Sequence, residues 1–439
     1  MYMTSLDART RSHSFAQMRS ESPSSLFTVS MHFLLIYLSI YGLISIYVDN
    51  IVIRSLKDVG MVFISIFSFA RVYRHQVSFL NPFLFILGSI VVLGALNVLL
   101  GSSVVTLIYG IKITFLPLVM LFTGMLIAQY DGIYAFARTN LIIFMMLIAG
   151  WLIQYSLGIE KLITMGFVYG VNIKNYLEGV PRLSSITYSP DGYAYALLMT
   201  GIIAERTRAA VNHRSFRILI QLLTISFLLL STIRSALLLW FVYQVGMFFL
   251  HIRKYTKKNT LILGVTFILL PAAVFFGGKM LQSKNLLSSS SLLDRLQSWG
   301  SNLTSPFTMN GMIGNGIGSV GAASRRTHMI GLNSSNFAVD NQYFSLYEQT
   351  GWIGIVYFIA FFMWIVVSLV KRMDKLPDSN SLRLPQVGLA LGAGVAAASL
   401  TTNVLELLPA NVFFWMFIGM ALYQYREADD IHYKAGELK

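Results

Sequence analysis

The sequence predicts an all-α polytopic membrane protein with about 12 transmembrane helices and two long loops on one side of the membrane. Of its 439 residues, 55% are hydrophobic and only 12% are charged, which is more apolar surface than a soluble domain of this length can bury. Apolar runs of about 17–25 residues recur along the chain, and a helix needs this length to cross a bilayer. The runs are continuous and do not alternate, so they do not fit the strands of a β-barrel.

Two features of the composition exclude other classes of protein. The chain contains no cysteine, so it has no disulfide framework, no thiol nucleophile and no Cys-based metal site. Its formal net charge is +14 at pH 7. In a membrane protein such an excess is typical of positively charged cytoplasmic loops, so we do not expect nucleic acid as a partner.

The predicted spans follow one another between two polar tails. Residues 1–25 predict a disordered cytoplasmic tail, and residues 426–439 a second cytoplasmic tail. The region 26–425 between them forms the transmembrane domain. Its predicted spans are 26–48, 56–71, 79–100, 104–128, 139–157, 190–204, 217–231, 233–250, 260–278, 342–370, 387–405 and 410–425.

Start and stop signals support individual spans. The run 26–48 is too long for a signal-peptide core, and no small-residue cleavage site follows it, so we expect an uncleaved first span. Pro190 and Asp191 open the span 190–204, because Pro fits the first turn of a helix and Asp favours its positive end. A tight turn that contains Arg234 joins the next two spans.

Lysine and arginine determine the predicted orientation. Most of the 33 Lys and Arg residues lie on the same side as the N-terminus, which identifies that side as the cytoplasm. The opposite, outer side has short turns and two long loops, 158–189 and 279–341. Long loops do not follow the charge rule, so the basic residues on the outer side need another explanation.

The basic residues predicted on or near the outer side are Arg182, Arg234, Arg295, Arg325, Arg326 and Lys112. Each of them can extend along apolar surface to reach lipid headgroups, as Arg and Lys near helix ends commonly do. As a group, they exceed what topology requires. Guanidinium groups form bidentate hydrogen bonds with phosphate oxygens. We therefore predict a diphosphate-binding site formed by Arg182, Arg234, Arg295 and Lys112, with Arg325 and Arg326 as further candidates.

Candidate acid–base residues lie where the second long loop enters the span 342–370. A carboxylate at Asp340 can take a proton from a sugar hydroxyl, and it can equally serve as the helix N-cap. Glu348 lies two helical turns further on, and His328 is a second candidate base or a loop residue. The sequence contains no HExxH motif and no cluster of His with carboxylates, so we expect no metal and no cofactor.

A glycine-rich stretch, "GNGIGSVG" at residues 314–321, resembles a phosphate-binding loop only superficially. It is predicted to lie outside the membrane, and no βαβ unit surrounds it. We expect a flexible loop at this position.

Four motifs together resemble the O-antigen polymerase and O-antigen ligase superfamily of bacterial inner-membrane glycan enzymes. They are "PRLSSITYSPDGYAYAL", "STIRSALLLW", "SSLLDRLQSWG" followed by "GNGIGSVG", and "VDNQYFSLYEQTGWIGI". The resemblance covers roughly residues 180–360, and the topology of the remaining chain is compatible with it. Ligases of this superfamily commonly carry His where this chain has Asp340, so the departure favours a polymerase.

The resemblance implies polyprenyl-diphosphate-linked oligosaccharides as substrates and an active site that faces the periplasm. Arg182 and Arg234, with Arg295 or Lys112, would hold the leaving diphosphate, and Asp340 or His328 would deprotonate the acceptor hydroxyl. A flippase and a chain-length regulator of the same pathway would be partners, together with membrane lipids. Two alternatives remain open: a ligase that transfers glycan to the lipid A core, and a transporter of anionic lipid-linked substrates, which broken helices and paired repeats would favour.

Overall fold

The computed structural model describes residues 25–48, 50–73, 77–130, 132–176, 180–206, 214–252, 308–324, 340–373 and 384–437. Helices account for 83% of these residues. Within these residues, five helices are long and apolar enough to cross a membrane: Leu26–Tyr47, Asn81–Leu99, Val104–Gln129, Ile133–Thr164 and Gln342–Met373. The predicted all-α membrane class is therefore confirmed at this level, whereas the number of about 12 spans stays a prediction.

The helices before the first long loop are α1 (Ser25–Tyr47), α2 (Ile51–Tyr73), α3 (Val77–Leu99), α4 (Val104–Gly110), a π-helical turn (Ile111–Phe115), α5 (Leu116–Gln129) and α6 (Ile133–Thr164). A hairpin of β1 (Ile173–Tyr176) and β2 (Val180–Leu183) follows. The remaining helices are α7 (Pro190–Arg206), α8 (Arg214–Ser231), α9 (Arg234–Ile252), α10 (Met309–Ile313), α11 (Gln342–Met373), α12 (Leu384–Ala398), a 3₁₀ turn (Val404–Glu406) and α13 (Ala410–Glu437).

Each predicted span overlaps one of these helices except 260–278, which lies outside the described residues. The two tails and most of the loop 279–341 lie outside them as well. Helix α12 ends at Ala398, so the predicted span 387–405 is too long. Its last residues form turns and the start of the 3₁₀ turn, in which the amide of Glu406 donates a hydrogen bond of 3.0 Å to the carbonyl oxygen of Asn403.

The core lies where α5, α7 and α13 pack together, and small residues allow the close approach. A Cβ atom added at Gly124 of α5 would lie 1.9 Å from the carbonyl oxygen of Met416 in α13. A Cβ atom at Gly419 of α13 would lie 1.9 Å from the carbonyl oxygen of Leu121. The backbones of these helices therefore touch, and the side chains of α7 from Gly192 to Glu205 are buried beside them.

The first long loop contains a structure that the sequence analysis did not predict. Strands β1 and β2 pair antiparallel, with Lys174 opposite Arg182 and Ile173 opposite Leu183. Ile173 and Leu183 are buried, and this apolar pair attaches the hairpin to the core. The hairpin therefore carries Arg182 on a defined strand and not in an irregular loop.

Helix α11 is broken at Gly351, whose backbone has φ 64° and ψ −168°. Residues 342–350 form a short first part, and the remainder forms a long apolar helix. The break, the π-helical turn and the 3₁₀ turn at Val404–Glu406 lie close to one another, because residues 314–321 bridge them. Irregular backbone among membrane helices is tolerated where protein covers it or where it lines a cavity.

Candidate functional site

Arg182 binds the turn between α8 and α9. Its Nε donates a hydrogen bond of 2.7 Å to Oγ1 of Thr232, and its Nη2 donates one of 2.8 Å to the carbonyl oxygen of Thr232. Thr232 has φ 57°, which is the left-handed region that β-branched residues rarely adopt. The two hydrogen bonds join the hairpin to a turn that lies 50 residues away in the sequence.

Arg234 begins helix α9 two residues after this turn, and its side chain is exposed. Because Arg182 holds Thr232, the two predicted diphosphate-binding arginines lie at one place in the structure. Lys174 adds a third positive charge, since it is the direct cross-strand partner of Arg182. Like charges in that position repel each other, so the arrangement favours an anion nearby.

A hydrogen-bonded chain connects this basic group to the start of α11. Thr402 Oγ1 donates a hydrogen bond of 3.0 Å to Ser235 Oγ, beside Arg234. The segment that contains Thr402 also accepts, at the carbonyl oxygen of Ser399, a hydrogen bond of 2.9 Å from the amide of Gln342. The basic group and the residue predicted as the base, Asp340, therefore flank the same segment between α12 and α13.

The N-cap of α11 is Asn341, and this corrects the capping role considered for Asp340. Asn341 Oδ1 accepts hydrogen bonds from the amides of Tyr343 and Phe344 at 3.0 and 3.1 Å, and its carbonyl accepts the first helical bond, from Ser345. Asn341 is fully buried, whereas Asp340 is exposed. Asn341 caps the helix because the N-cap is the residue whose carbonyl oxygen accepts the first hydrogen bond of the helix.

Glu348 and its neighbour hold the glycine-rich residues 314–321 in place. Glu348 Oε2 accepts a hydrogen bond of 2.7 Å from Asn315 Nδ2, and Gln349 Oε1 accepts one of 2.8 Å from the amide of Gly318. On the opposite side, a Cβ atom at Gly318 would lie 2.3 Å from the carbonyl oxygen of Thr106. The expectation of a flexible loop is therefore wrong, because this segment is packed between α4 and α11.

Glu406 is a buried carboxylate that joins three segments, and the sequence analysis did not select it. Its Oε2 accepts a hydrogen bond of 3.0 Å from the amide of Ala322, and its Oε1 accepts one of 3.0 Å from Ser345 Oγ. Burial raises the pKa of Glu406, and hydrogen bonds from Ala322, Ser345 and neighbouring side chains partly offset this.

Lys112 does not join the basic group around Arg182 in the described contacts. Its Nζ lies 2.6 Å from Asp58 Oδ2, and Asp58 also contacts Lys57 at 2.8 Å. Lys57 is buried and lies 4.6 Å from the ring centre of Tyr41. Lys112 is thus part of an ionic cluster on α2 and the π-helical turn. The carboxylate of Asp58 balances its positive charge, which the sequence predicted to bind a diphosphate.

Other predicted site residues lie outside the described residues: Arg295, Arg325, Arg326 and His328. Within the parts of the chain that the structure describes, no group of three or more His, Cys, Asp or Glu residues is placed to hold a metal ion. The site that the structure brings together therefore comprises Arg182, Arg234 and Asp340, with Lys174, Thr232 and Glu406 as additions.

The sequence gives only weak indications that the three added residues belong to the site. Thr232 lies in the "STIRS" turn, but only the structure reveals its positive φ. The position of Lys174 opposite Arg182 follows from the cross-strand register of the hairpin. The short strands of this hairpin could not be predicted from the pattern of apolar residues. Glu406 lies directly after the end of the predicted span 387–405. The sequence matches no model of a known protein family, and a search of curated proteins found no significant match.

Proposed function

We propose that the protein is a polymerase of polyprenyl-diphosphate-linked oligosaccharide units in the bacterial inner membrane, with its active site facing the periplasm. The observation that carries this proposal is the grouping of Arg182, Arg234 and Lys174 beside the segment that also contacts the start of α11. Basic groups of this kind suit a diphosphate, and the exposed carboxylate of Asp340 suits an acceptor hydroxyl.

In the proposed reaction, the acceptor hydroxyl of one lipid-linked unit attacks the anomeric carbon of the glycan on another. A C–O bond forms at that carbon, and the C–O bond to the diphosphate breaks. The hydroxyl proton passes to the carboxylate of Asp340, and the polyprenyl diphosphate leaves with the bonding electron pair. Arg234 stabilises the negative charge that develops on the leaving group. Flippase and chain-length proteins of the same pathway would be its partners.

The test uses purified protein in detergent and synthetic polyprenyl-diphosphate repeat units, with products separated on a gel. Wild-type protein is expected to give a ladder of longer glycans, and Arg234→Ala to reduce it by about 10²-fold or more. Arg138→Ala is the matched control, because Arg138 is an exposed arginine at the predicted cytoplasmic end of α6. A ladder that is unchanged in Arg234→Ala contradicts the role of Arg234 at the diphosphate.

Two alternatives have distinct outcomes in the same experiment. A ligase would transfer the glycan to added lipid A core and would form no ladder without it. A transporter is favoured by the break of α11 at Gly351, since discontinuous helices form the substrate sites of many transporters. It would form no new glycosidic bond, but would move lipid-linked substrate across the membrane of a proteoliposome.

A further inference from the structure

Two strained backbone positions flank Arg182. In the part of the chain that the structure describes, the non-glycine residues with positive φ are Ser185, at 54°, and Thr232, at 57°. Ser185 follows Arg182 by three residues, and Thr232 receives its hydrogen bonds. Such conformations persist only where the surroundings over-determine them, and they cluster at functional sites.

The surroundings of Thr232 account for its conformation. Its Oγ1 accepts from Arg182 Nε while donating a hydrogen bond of 2.7 Å to the carbonyl oxygen of Ser231. Gly or Asn is the usual residue in a left-handed turn, because each tolerates it at lower cost. Thr is suited here by its hydroxyl, which gives Arg182 an acceptor that neither glycine nor valine provides.

The surroundings of Ser185 anchor the other end of the strand. Gln154 of α6 accepts a hydrogen bond of 2.8 Å from the amide of Ser185 through Oε1, and it donates to the Ser185 carbonyl through Nε2. Ser185 Oγ also donates a bond of 2.6 Å to the carbonyl oxygen of Leu147. Strand β2 is thus attached to a long helix on one side and to the α8–α9 turn on the other.

We infer that Arg182 is a positioning residue that holds Thr232 in its left-handed conformation and thereby orients Arg234 towards the anionic substrate. This deepens the proposed function and rests on it for the identity of the substrate. Ile233 is buried, and Arg234 follows it at the first position of α9. The conformation of Thr232 therefore determines where the guanidinium of Arg234 lies. Because Nε and Nη2 of Arg182 serve Thr232, those donors are not given to a phosphate.

The first measurement tests, without any substrate, whether Arg182 holds the turn that contains Thr232. Hydrogen exchange is followed by mass spectrometry in peptides that cover 228–238 and, as an internal control, 139–150. Thr232→Val keeps the branched shape but removes the hydroxyl acceptor, whereas Thr232→Ser keeps the hydroxyl. Arg182→Ala and Thr232→Val are expected to raise exchange in 228–238 and leave 139–150 unchanged, and Thr232→Ser is expected to behave like wild type. Unchanged exchange in 228–238 for both disrupting variants overturns the inference.

The second measurement tests whether the contact between Arg182 and Thr232 affects diphosphate binding through Arg234. The probe is farnesyl diphosphate, and its dissociation constant is measured for single and double variants. Arg182→Ala and Thr232→Val are each expected to weaken binding about tenfold, and neither is expected to weaken it further in an Arg234→Ala background, since coupled residues are not additive. A further loss for Arg182→Ala in that background, with Thr232→Val silent, makes Arg182 a direct ligand and overturns the inference.

The two measurements separate failure of the inference from failure of the proposed function. If wild-type protein does not bind farnesyl diphosphate but exchange rises as expected, the positioning of Thr232 by Arg182 is supported and the diphosphate proposal is not. If binding depends on Arg234 but exchange does not change, the diphosphate proposal is supported and the positioning role of Arg182 is not. Arg182→Lys provides a check on folding, because it keeps the charge while losing the planar fork.

Discussion

Asp340 and Asn341 are adjacent residues in different surroundings. Asn341 caps α11 and is buried, whereas Asp340 is exposed before the helix begins. Asn341→Ala is therefore expected to lower the free energy of unfolding by about 0.5–2 kcal/mol. Asp340→Asn is expected to leave stability unchanged and to reduce turnover by about 10²–10⁴, the usual range for a general base.

Thermal unfolding in detergent and the glycan ladder measure these two effects on the same preparations. The pair serves as its own control, because the substitutions lie one position apart on the same helix start. If Asp340→Asn retains full turnover, Asp340 is not the base, and His328 becomes the next candidate to substitute. If Asp340→Asn lowers stability as much as Asn341→Ala, the separation of roles is wrong.

The buried carboxyl of Glu406 predicts a particular dependence of stability on pH. Its pKa is raised by burial above the ordinary 4.5. Above pH 4.5 the unfolded chain releases this proton while the folded protein retains it, so the stabilising contribution is fully present below 4.5. It is lost as the pH rises through the higher pKa of the folded state. The thermal midpoint of the wild type is therefore expected to fall over that range.

Glu406→Gln removes this titration and keeps one oxygen, which can accept from the amide of Ala322, while its Nε2 replaces the oxygen that accepts from Ser345 and can donate to the Ser345 hydroxyl oxygen. We expect the midpoint of the variant to depend less on pH, and to exceed that of the wild type at the alkaline end. The comparison is made by intrinsic fluorescence in detergent from pH 4.5 upwards. Parallel curves for the two proteins would show that Glu406 does not titrate in the folded state.

The sequence selects Arg182, Arg234 and Asp340 as candidate site residues, because charges are rare among apolar spans and mark function there. It was not sufficient to show how they act. The bond between Arg182 and Thr232 joins residues 50 positions apart, and the positive φ of Thr232 depends on that bond. A left-handed turn favours glycine, and the residue at this position is a threonine. The local sequence therefore does not predict the conformation that Thr232 adopts.

At the scale of elements, the glycine-rich residues 314–321 form a docked segment whose packing requires glycine. Gly318 has φ 88°, and a Cβ atom there would lie 2.3 Å from the carbonyl oxygen of Thr106. Gly101 has φ 103° but no heavy atom within 4 Å of the corresponding position. Gly101→Ala therefore isolates the backbone strain, at about 1–2 kcal/mol. Gly318→Ala adds a steric collision, and we expect a loss of about 3 kcal/mol or more.

The difference between these two alanine variants is the test of docking, and it is read from thermal unfolding. Equal losses would mean that α4 does not constrain the segment. A second readout is limited proteolysis, in which Gly318→Ala is expected to expose the region around 314–321 while Gly101→Ala is not. These measurements need no substrate, so they stand apart from the proposed enzymatic activity.

Elements differ in how well the sequence predicts them. Long apolar runs predicted the helices well, because burial in lipid or in the helical core requires apolar side chains throughout. The β-hairpin was missed, since its strands are short and mix Lys174 and Arg182 with apolar residues. The end of α12 was placed too late, because the predicted span extended over the mostly polar residues 399–403 to the apolar Val404 and Leu405, whereas the helix ends at Ala398.

At the scale of the whole molecule, the candidate site combines segments that are distant in the sequence. The hairpin, the α8–α9 turn, the segment between α12 and α13, and the start of α11 meet at one end of the helices. The distribution of Lys and Arg along the chain predicts the outer side for each of these segments. Their contacts with one another in the structure agree with a common side, because residues at opposite membrane faces cannot form hydrogen bonds.

The orientation itself leads to a prediction that applies to the whole chain. The absence of cysteine from the sequence makes single introduced cysteines specific reporters. Ser103 lies exposed in the turn between α3 and α4, which is predicted to be periplasmic, and Asn212 lies in the basic segment between α7 and α8, which is predicted to be cytoplasmic. In intact spheroplasts, a membrane-impermeant maleimide is expected to label Ser103→Cys and not Asn212→Cys.

Permeabilising the membrane before labelling supplies the control, since Asn212→Cys should then react as readily as Ser103→Cys. The Cys-free parent protein, carried through both treatments, should remain unlabelled. Labelling of Asn212→Cys alone in intact cells would invert the topology and place Arg182, Arg234 and Asp340 in the cytoplasm. A cytoplasmic site would exclude the proposed periplasmic polymerisation even if every hydrogen bond of the site were correct, because the orientation determines which face of the membrane supplies the substrate.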